Sequence, residues 1–181
     1  MTYRRIMVFG GAGSGKSTLA RRLGALSGLP VIHIDPLYWQ PGWVERPRSE
    51  TRALATEAAM RDDWVFEGNN SETMDIRAER ADLIIFLDMP RHLRIWSILR
   101  RILRYWGRSR PDMTPGCPER FDLDFLTGFV WDYEKKGRVA ALDFIARWQS
   151  RRPVLHLRSR RAVKLLLADP AFLAKLAPEM P

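Results

Sequence analysis

The chain has 181 residues, the usual size of one α/β domain, so we expect a single domain over residues 1–181. No apolar run reaches the roughly 18–20 residues of a membrane span, and the amino terminus lacks a signal-peptide pattern, so we expect a cytoplasmic protein without a membrane partner. The net charge of +9, from 30 basic and 21 acidic residues, indicates anionic partners, and the single cysteine, Cys117, excludes an internal disulfide.

Short apolar runs alternate with stretches of helical spacing along the chain. The runs rich in β-branched or aromatic residues predict strands at 6–9, 31–34, 64–66, 83–87 and 154–157. The helical patterns lie at 16–27, 49–61, 71–80, 93–105 and 122–149, the last one broken near Gly137, and a closing helix and tail follow at 162–181. This β-α-β order predicts a parallel sheet with helices on both faces and ligands beyond the carboxyl ends of its strands.

The first strand and first helix are joined by a phosphate-binding motif. Residues 10–17, GGAGSGKS, fit the pattern G-x-x-x-x-G-K-[ST], in which backbone N–H groups and the helix N-terminus face the phosphates of a nucleotide. Lys16 is predicted to reach the β- and γ-phosphates and Ser17 to bind Mg²⁺, so ATP and Mg²⁺ are the predicted cofactors. The predicted nucleotide-binding residues of this segment are Gly10, Gly11, Ala12, Gly13, Ser14, Gly15, Lys16, Ser17 and Thr18.

Three predicted strands are followed at once by acids, Asp35, Glu67 and Asp88. A Mg²⁺ site needs a carboxylate opposite Ser17. Glu67 is favoured because Gly68 would let a ligand approach closely, and Asp88, which ends an apolar strand, is the second candidate. Each acid is also consistent with a helix cap or an ion pair with a nearby arginine.

The segment 36–47 is rich in proline and aromatic residues and is predicted to form an acceptor loop. Tyr38, Trp39 and Trp43 would bind a second substrate while Asp35 accepts its hydroxyl proton. The alternative is that these aromatic side chains pack on one another as a small core.

Seven arginines and no acid occur between Arg91 and Arg110. One hypothesis is a lid over about 105–120 that closes on nucleotide, because proline and glycine flank this part. Another is a DNA-binding surface on which Trp96, Tyr105 and Trp106 stack unpaired bases. The third interpretation is a basic helix that is merely solvated or that packs its aromatic residues on the core.

Several blocks together resemble the FlaR-type DNA topology modulation proteins, which are similar to adenylate-kinase-type P-loop kinases. Besides the phosphate-binding motif, these blocks are HIDPLYWQPGW at 33–43, FEGNN at 66–70, ADLIIFLDMPR at 81–91, RSRPDM at 108–113 and GCPER at 116–120. The resemblance implies the P-loop nucleotide-kinase fold, an α/β fold whose five-stranded parallel sheet has the order 2-3-1-4-5 with a short lid. It also implies that Glu67, Gly68, Asn69 and Arg77 face the acceptor.

The same resemblance assigns the arginines of the predicted lid. Arg101 and Arg104 would contact the nucleotide, and Arg108 and Arg110 would act as phosphate clamps, so the predicted catalytic set is Lys16, Asp35, Arg104, Arg108 and Arg110. We therefore predict a phosphotransferase that uses ATP and Mg²⁺ on an unidentified small acceptor. The alternative is an ATP-regulated DNA-binding or topology-modulating protein, and the oligomeric state is left open.

Overall fold

The computed structural model describes residues 2–121 and 130–176. Its strands are β1 (Arg5–Gly10), β2 (Val31–His33), β3 (Trp39–Gln40), β4 (Val44–Glu45), β5 (Trp64–Glu67), β6 (Leu83–Leu87) and β7 (Val154–Leu157). Its helices are α1 (Lys16–Ser27), α2 (Asp35–Tyr38), α3 (Arg48–Ala59), α4 (Ser71–Arg80), α5 (Arg91–Tyr105), α6 (Gly137–Trp148), α7 (Arg160–Ala168) and α8 (Pro170–Leu176), with a 3-10 turn at Asp132–Glu134.

Five strands form one parallel sheet in the order β2-β5-β1-β6-β7, which confirms the predicted strand order. Side chains alternate along β1, so that Ile6 and Val8 pack on one face and Met7 and Phe9 on the other. Helices α3, α4 and α6 cover the Met7 face, and α1, α7 and α8 cover the Ile6 face. Each large apolar side chain buried in this way stabilises the fold by about 1.5–3 kcal/mol.

The segment 36–47, predicted to be irregular, has regular structure. Asp35–Tyr38 forms a short helix with proline in its first turn, and β3 pairs with β4 as an antiparallel hairpin. Two-residue strands are too short for sequence periodicity to detect. We call residues 39–45 the hairpin.

The carboxy-terminal helices also differ in part from the prediction. Helix α6 begins at Gly137, where a Cβ atom would lie 2.5 Å from Tyr133 Cδ2, and the predicted helical residues 122–129 lie outside the described residues. The predicted closing helix is two helices, because Pro170 cannot continue α7 and instead begins α8. In the described part of the chain, no helix combines the length and apolar character needed to span a membrane.

The carboxyl ends of β2, β5, β1 and β6 lie side by side at one edge of the sheet. Helix α5 leaves this edge after β6 and leads into residues 106–121, which we call the lid loop. Its two arms are held together by bridges between Trp106 and Glu119 and between Ser109 and Pro118. The fold thus places the phosphate-binding motif, the strand-end acids and the lid loop around one cleft.

Candidate functional site

The phosphate-binding motif forms the turn between β1 and α1. Gly13 has a φ of 76°, and a Cβ atom on it would lie 2.3 Å from the Arg94 carbonyl oxygen, so only glycine fits this position. Lys16 Nζ donates to the Gly11 carbonyl oxygen at 3.3 Å, across the mouth of the turn. Burial lowers the pKa of Lys16, and the carboxylates of Glu67 and Asp35 oppose this shift. The turn therefore holds a cation beside inward-facing glycines, an arrangement that fits phosphate.

Glu67 lies at the end of β5, directly beside Ser17. Its Oε1 accepts hydrogen bonds from Ser17 Oγ at 3.1 Å and from His33 Nδ1 at 2.6 Å. The parallel register pairs His33 of β2 with Glu67, which brings these two side chains together. Burial alone would raise the pKa of Glu67, but the His33 hydrogen bond and the charge of Lys16 lower it below its usual value. Glu67 is therefore an ionised carboxylate at the Ser17 hydroxyl.

A second acid reaches this point from the lid loop. One donor atom each from His33, Glu67 and Asp112 lie within 4.8 Å of one another. Asp112 is buried, and Arg21 Nη1 lies 3.3 Å from its Oδ1. Burial would raise the pKa of Asp112, but the charge of Arg110 lowers it below its usual value. Two ionised carboxylates and the Ser17 hydroxyl supply the hard oxygen donors that Mg²⁺ prefers, so the residues present fit that ion.

Asp88, the second candidate for the metal, is engaged elsewhere. Its oxygens accept two hydrogen bonds from Arg138, both at 2.8 Å, and one from His156 Nε2 at 3.0 Å. Burial would raise its pKa, but the Arg138 and His156 hydrogen bonds lower it. Asp88 thus pairs with Arg138 of α6 and His156 of β7, and these contacts occupy the oxygens that a metal would need.

Asp35 begins α2 at the floor of the same cleft, which has a volume of about 1710 Å³. Its side chain is 43% exposed, and Arg110 Nη2 lies 3.6 Å from its Oδ2. Burial and the Glu67 carboxylate raise the pKa of Asp35, although Arg110 and Lys16 oppose them.

The three aromatic side chains that follow Asp35 both pack together and line the cleft. The rings of Tyr38 and Trp39 lie 4.8 Å apart, and those of Trp39 and Trp43 lie 5.4 Å apart, in edge-to-face contacts. The two alternatives stated for this segment are therefore compatible.

The predicted lid arginines separate into three environments. Arg110 is buried between three acids, with Nε 2.6 Å from Glu119, Nη1 3.6 Å from Asp112 and Nη2 3.6 Å from Asp35. Arg101 Nε lies 3.2 Å from the same Glu119 oxygen, and Arg104 is exposed at the rim of the cleft. Arg108 is exposed and does not line the cleft formed by the described residues, so its predicted clamp role is not supported.

The residues after β5 differ most from the expectation. Arg77 is fully buried and donates to the Gly68 carbonyl oxygen at 2.9 Å, with its guanidinium carbon 4.9 Å from the centre of the Phe66 ring. Burial lowers the pKa of Arg77 to about 10. It supports the chain beneath the cleft and does not face an acceptor. Gly68 has a φ of 113°, and a Cβ atom on it would lie 2.1 Å from Ile34 Cγ2, so its backbone conformation and its packing against Ile34, between β2 and α2, require a glycine there.

Asn69 also has a partner that the sequence did not indicate. Its side-chain oxygen accepts from the Gly10 N–H at 3.1 Å, and its side-chain nitrogen donates to the Gly10 carbonyl oxygen at 2.9 Å. This pair of bonds fixes the first residue of the phosphate-binding turn to the end of β5. Asn69 therefore positions the turn, in addition to lining the cleft.

Sequence reasoning missed His33, Asp112 and Glu119, and one wall of the cleft. Between residues 91 and 120 the only acids are Asp112 and Glu119, and two isolated acids in an arginine-rich segment are the signal that was available. The missed wall combines α5 with α7, whose Arg160 Nη2 donates to Ser97 Oγ at 2.8 Å. Its cleft-lining residues are Ser97, Arg160, Val163, Lys164 and Leu167.

Comparisons with known proteins agree with this architecture. No family model and no curated protein matches the chain by sequence. Among solved structures, the shikimate kinase from Acinetobacter baumannii in complex with shikimate shares 17% identity over 92% of this chain and 90% of its own, with a TM-score of 0.51. The shikimate kinase from Bacteroides thetaiotaomicron shares 19% identity over 92% and 96% of the two chains, with a TM-score of 0.50. Together with the sheet order, these similarities show that the chain has the α/β fold of P-loop kinases.

Proposed function

We propose that this protein transfers the γ-phosphoryl group of ATP to a hydroxyl group of a small acceptor. The observation that carries the proposal is the convergence of the phosphate-binding turn, Glu67 and Asp35 on one cleft. A nucleotide switch would need only the first two. Asp35, with its raised pKa and partial exposure, adds a proton acceptor that faces the same space.

The turn and its neighbours would bind the triphosphate. Backbone N–H groups of residues 11–15 and Lys16 would bind phosphate oxygens, and Arg101 and Arg110 would neutralise charge that develops during transfer. Ser17 and Glu67 would hold Mg²⁺, with Asp112 and His33 beside them. When bound, that ion neutralises phosphate oxygens.

The nucleoside would lie between α5 and α7. Val163 and Leu167 offer an apolar surface on one side, and Arg104 offers a guanidinium plane on the other. Planar cations stack well on aromatic bases.

The acceptor would lie over Tyr38, Trp39 and Trp43. Asp35 would take the proton of the acceptor hydroxyl as the hydroxyl oxygen forms the new bond to the γ-phosphorus. The bond from the γ-phosphorus to the bridging oxygen would break, and ADP would leave with its electrons. Arg110, near both Asp35 and the lid acids, would orient the reacting groups.

A screen of hydroxyl-bearing acceptors with ATP and Mg²⁺ tests the proposal. The readout is ADP formation above the acceptor-free rate, with nucleotide affinity measured separately by calorimetry. We expect Asp35→Asn to retain nucleotide affinity and to lose acceptor-dependent ADP formation. An Asp35→Asn variant with normal transfer would rule out this acid as the proton acceptor.

The resemblance to FlaR-type proteins suggests DNA binding as a second candidate, and one observation favours it. Helix α5 and the lid loop expose Trp96, Leu103 and Trp106, at 59%, 80% and 63%, beside the exposed Arg100 and Arg104. Exposed aromatic rings among cations suit unpaired bases. Single-stranded DNA binding across a salt series tests this candidate, which requires a steep salt dependence and weaker binding by Trp106→Ala.

A further inference from the structure

The hairpin and the lid loop, which are far apart in sequence, are joined by four hydrogen bonds. The donor and acceptor atoms are Trp43 Nε1 to Pro118 O at 3.0 Å, Thr114 Oγ1 to Trp39 O at 2.6 Å, Gly42 N to Gly116 O at 2.9 Å, and Cys117 Sγ to Gln40 O at 3.2 Å. These bonds link the segment that lines the acceptor side of the cleft to the segment that carries Arg110.

The contact between the two segments is packed as well as hydrogen-bonded. A Cβ atom on Gly116 would lie 3.1 Å from Pro41 Cβ, and Cys117 is 1% exposed. Trp43 has a φ of 63°, a left-handed conformation that is uncommon for a bulky residue and persists only where surrounding contacts require it. Its contacts are the Trp39 ring and the Pro118 carbonyl oxygen. The backbone of Trp43 is therefore held by its attachment to the lid loop.

The attachment lies next to the residues that position Arg110. Pro118, the acceptor for Trp43, is followed directly by Glu119, whose carboxylate lies 2.6 Å from Arg110 Nε. Arg110 in turn lies 3.6 Å from Asp35, on the helix that leads into the hairpin. A movement of the hairpin would thus be transmitted to Arg110 both through Glu119 and through Asp35.

We propose that the hairpin and the lid loop close as one unit and that Trp43 is a positioning residue for Arg110. This inference rests on the proposed function, in which one side of the unit meets the acceptor and the other meets ATP. An acceptor bound over Trp39 and Trp43 then favours the closed lid, and nucleotide favours the closed hairpin. Because coupling is reciprocal, each ligand tightens the other by the same factor, typically about 5- to 150-fold.

Hydrogen exchange of the full chain without ligand tests the mechanical link. The variant Trp43→Phe/Thr114→Val removes two donors. Valine keeps the shape of Thr114, phenylalanine keeps an aromatic ring at position 43, and Thr114→Val alone is the milder form. The control Trp131→Phe/Thr56→Val makes the same residue changes at an exposed tryptophan and a threonine of α3, both outside the cleft. We expect backbone amides of both 39–45 and 106–121 to exchange at least about fivefold faster in the test variant only. Faster exchange of the hairpin with an unchanged lid loop would overturn the proposal.

A second arm adds Mg²⁺ and a non-hydrolysable ATP analogue to each protein. Slower exchange at residues 11–17 reports nucleotide binding itself. In the wild-type chain the Gly42 N–H is then expected to gain protection, and in the test variant it is not. Protection confined to residues 11–17 and the lid loop would overturn the coupling. Unchanged exchange at residues 11–17 would reject the nucleotide site instead, while the comparison without ligand still decides the link between the two segments.

Discussion

Glu67 ends β5 and Asp88 follows β6, the two strands on either side of β1. Their contacts predict different effects of the same change from carboxylate to amide: Asp88→Asn should lower stability, and Glu67→Gln should lower metal affinity. In Asp88→Asn, one amide oxygen must replace two carboxylate oxygens that receive Arg138 twice at 2.8 Å and His156 at 3.0 Å. Hydrogen bonds to charged groups contribute about 1.5–3 kcal/mol. The Arg138 side chain is 33% exposed, which supports the lower part of that range. At about 2–4 °C per kcal/mol for a chain of this size, we expect the Tm to fall by about 3–8 °C.

Glu67→Gln should act on metal binding. It removes the charged oxygen that faces Ser17, so we expect the affinity for Mn²⁺, used as a paramagnetic substitute for Mg²⁺, to fall at least about tenfold. Asp88→Asn should keep wild-type Mn²⁺ affinity at a temperature where it is folded. The assay is a Mn²⁺ titration by electron paramagnetic resonance, alone and with ADP, beside thermal unfolding of both variants. Equal losses of Mn²⁺ affinity in the two variants would refute the assignment of the metal to Glu67.

Three further predictions concern the cleft. Lys16→Ala should weaken ATP binding at least about tenfold in calorimetry without lowering the Tm of the free protein, because Lys16 is proposed to contact phosphate and belongs to no buried apolar cluster. Unchanged affinity would reject the phosphate-binding assignment. Burial and the Glu67 carboxylate raise the pKa of Asp35 in the folded state. Asp35 therefore destabilises the fold increasingly as the pH rises from its unfolded pKa of about 3.9 through its folded pKa. Asp35→Asn removes this penalty, so it should raise the Tm more at pH 7 than at pH 3, where the carboxyl is protonated in both states. A gain that is the same at both pH values would contradict the shift. Arg110→Lys should lower acceptor-dependent ADP formation at least about tenfold, because one ammonium group cannot contact three acids as the guanidinium does. The control Arg108→Lys should leave this rate unchanged. Similar rates for both variants would remove Arg110 from the site.

The sequence was sufficient for the elements whose signal is local. The phosphate-binding motif was recognised from eight consecutive residues, and the five sheet strands from short apolar runs, because these patterns arise within a few residues. The strand order came from the resemblance to P-loop kinases and agrees with the structure. That order puts the strand of Glu67 next to the first strand, and adjacent parallel strands end at the same edge, so Glu67 was predicted to lie near Ser17.

Residue roles that depend on distant partners could not be assigned in this way. Asp88 and Glu67 look alike in sequence, as acids after apolar strands, and only Arg138 and His156, 50 and 68 residues beyond Asp88, distinguish them. Arg77 was expected to face the acceptor, but the packing of α4 buries it against Phe66 and the Gly68 carbonyl.

The hairpin and its link to the lid loop show the same limit most clearly. The sequence by itself determined that 36–47 and 107–118 are proline- and glycine-rich segments, and it predicted that both lie beside a nucleotide site. Only the tertiary structure decided that Trp43 bonds to Pro118, 75 residues away, and that Glu119 holds Arg110 and Arg101 together. The physical reason is that turn and helix preferences are set by neighbours in the chain, whereas a hydrogen bond between two loops depends on where the whole sheet places their ends.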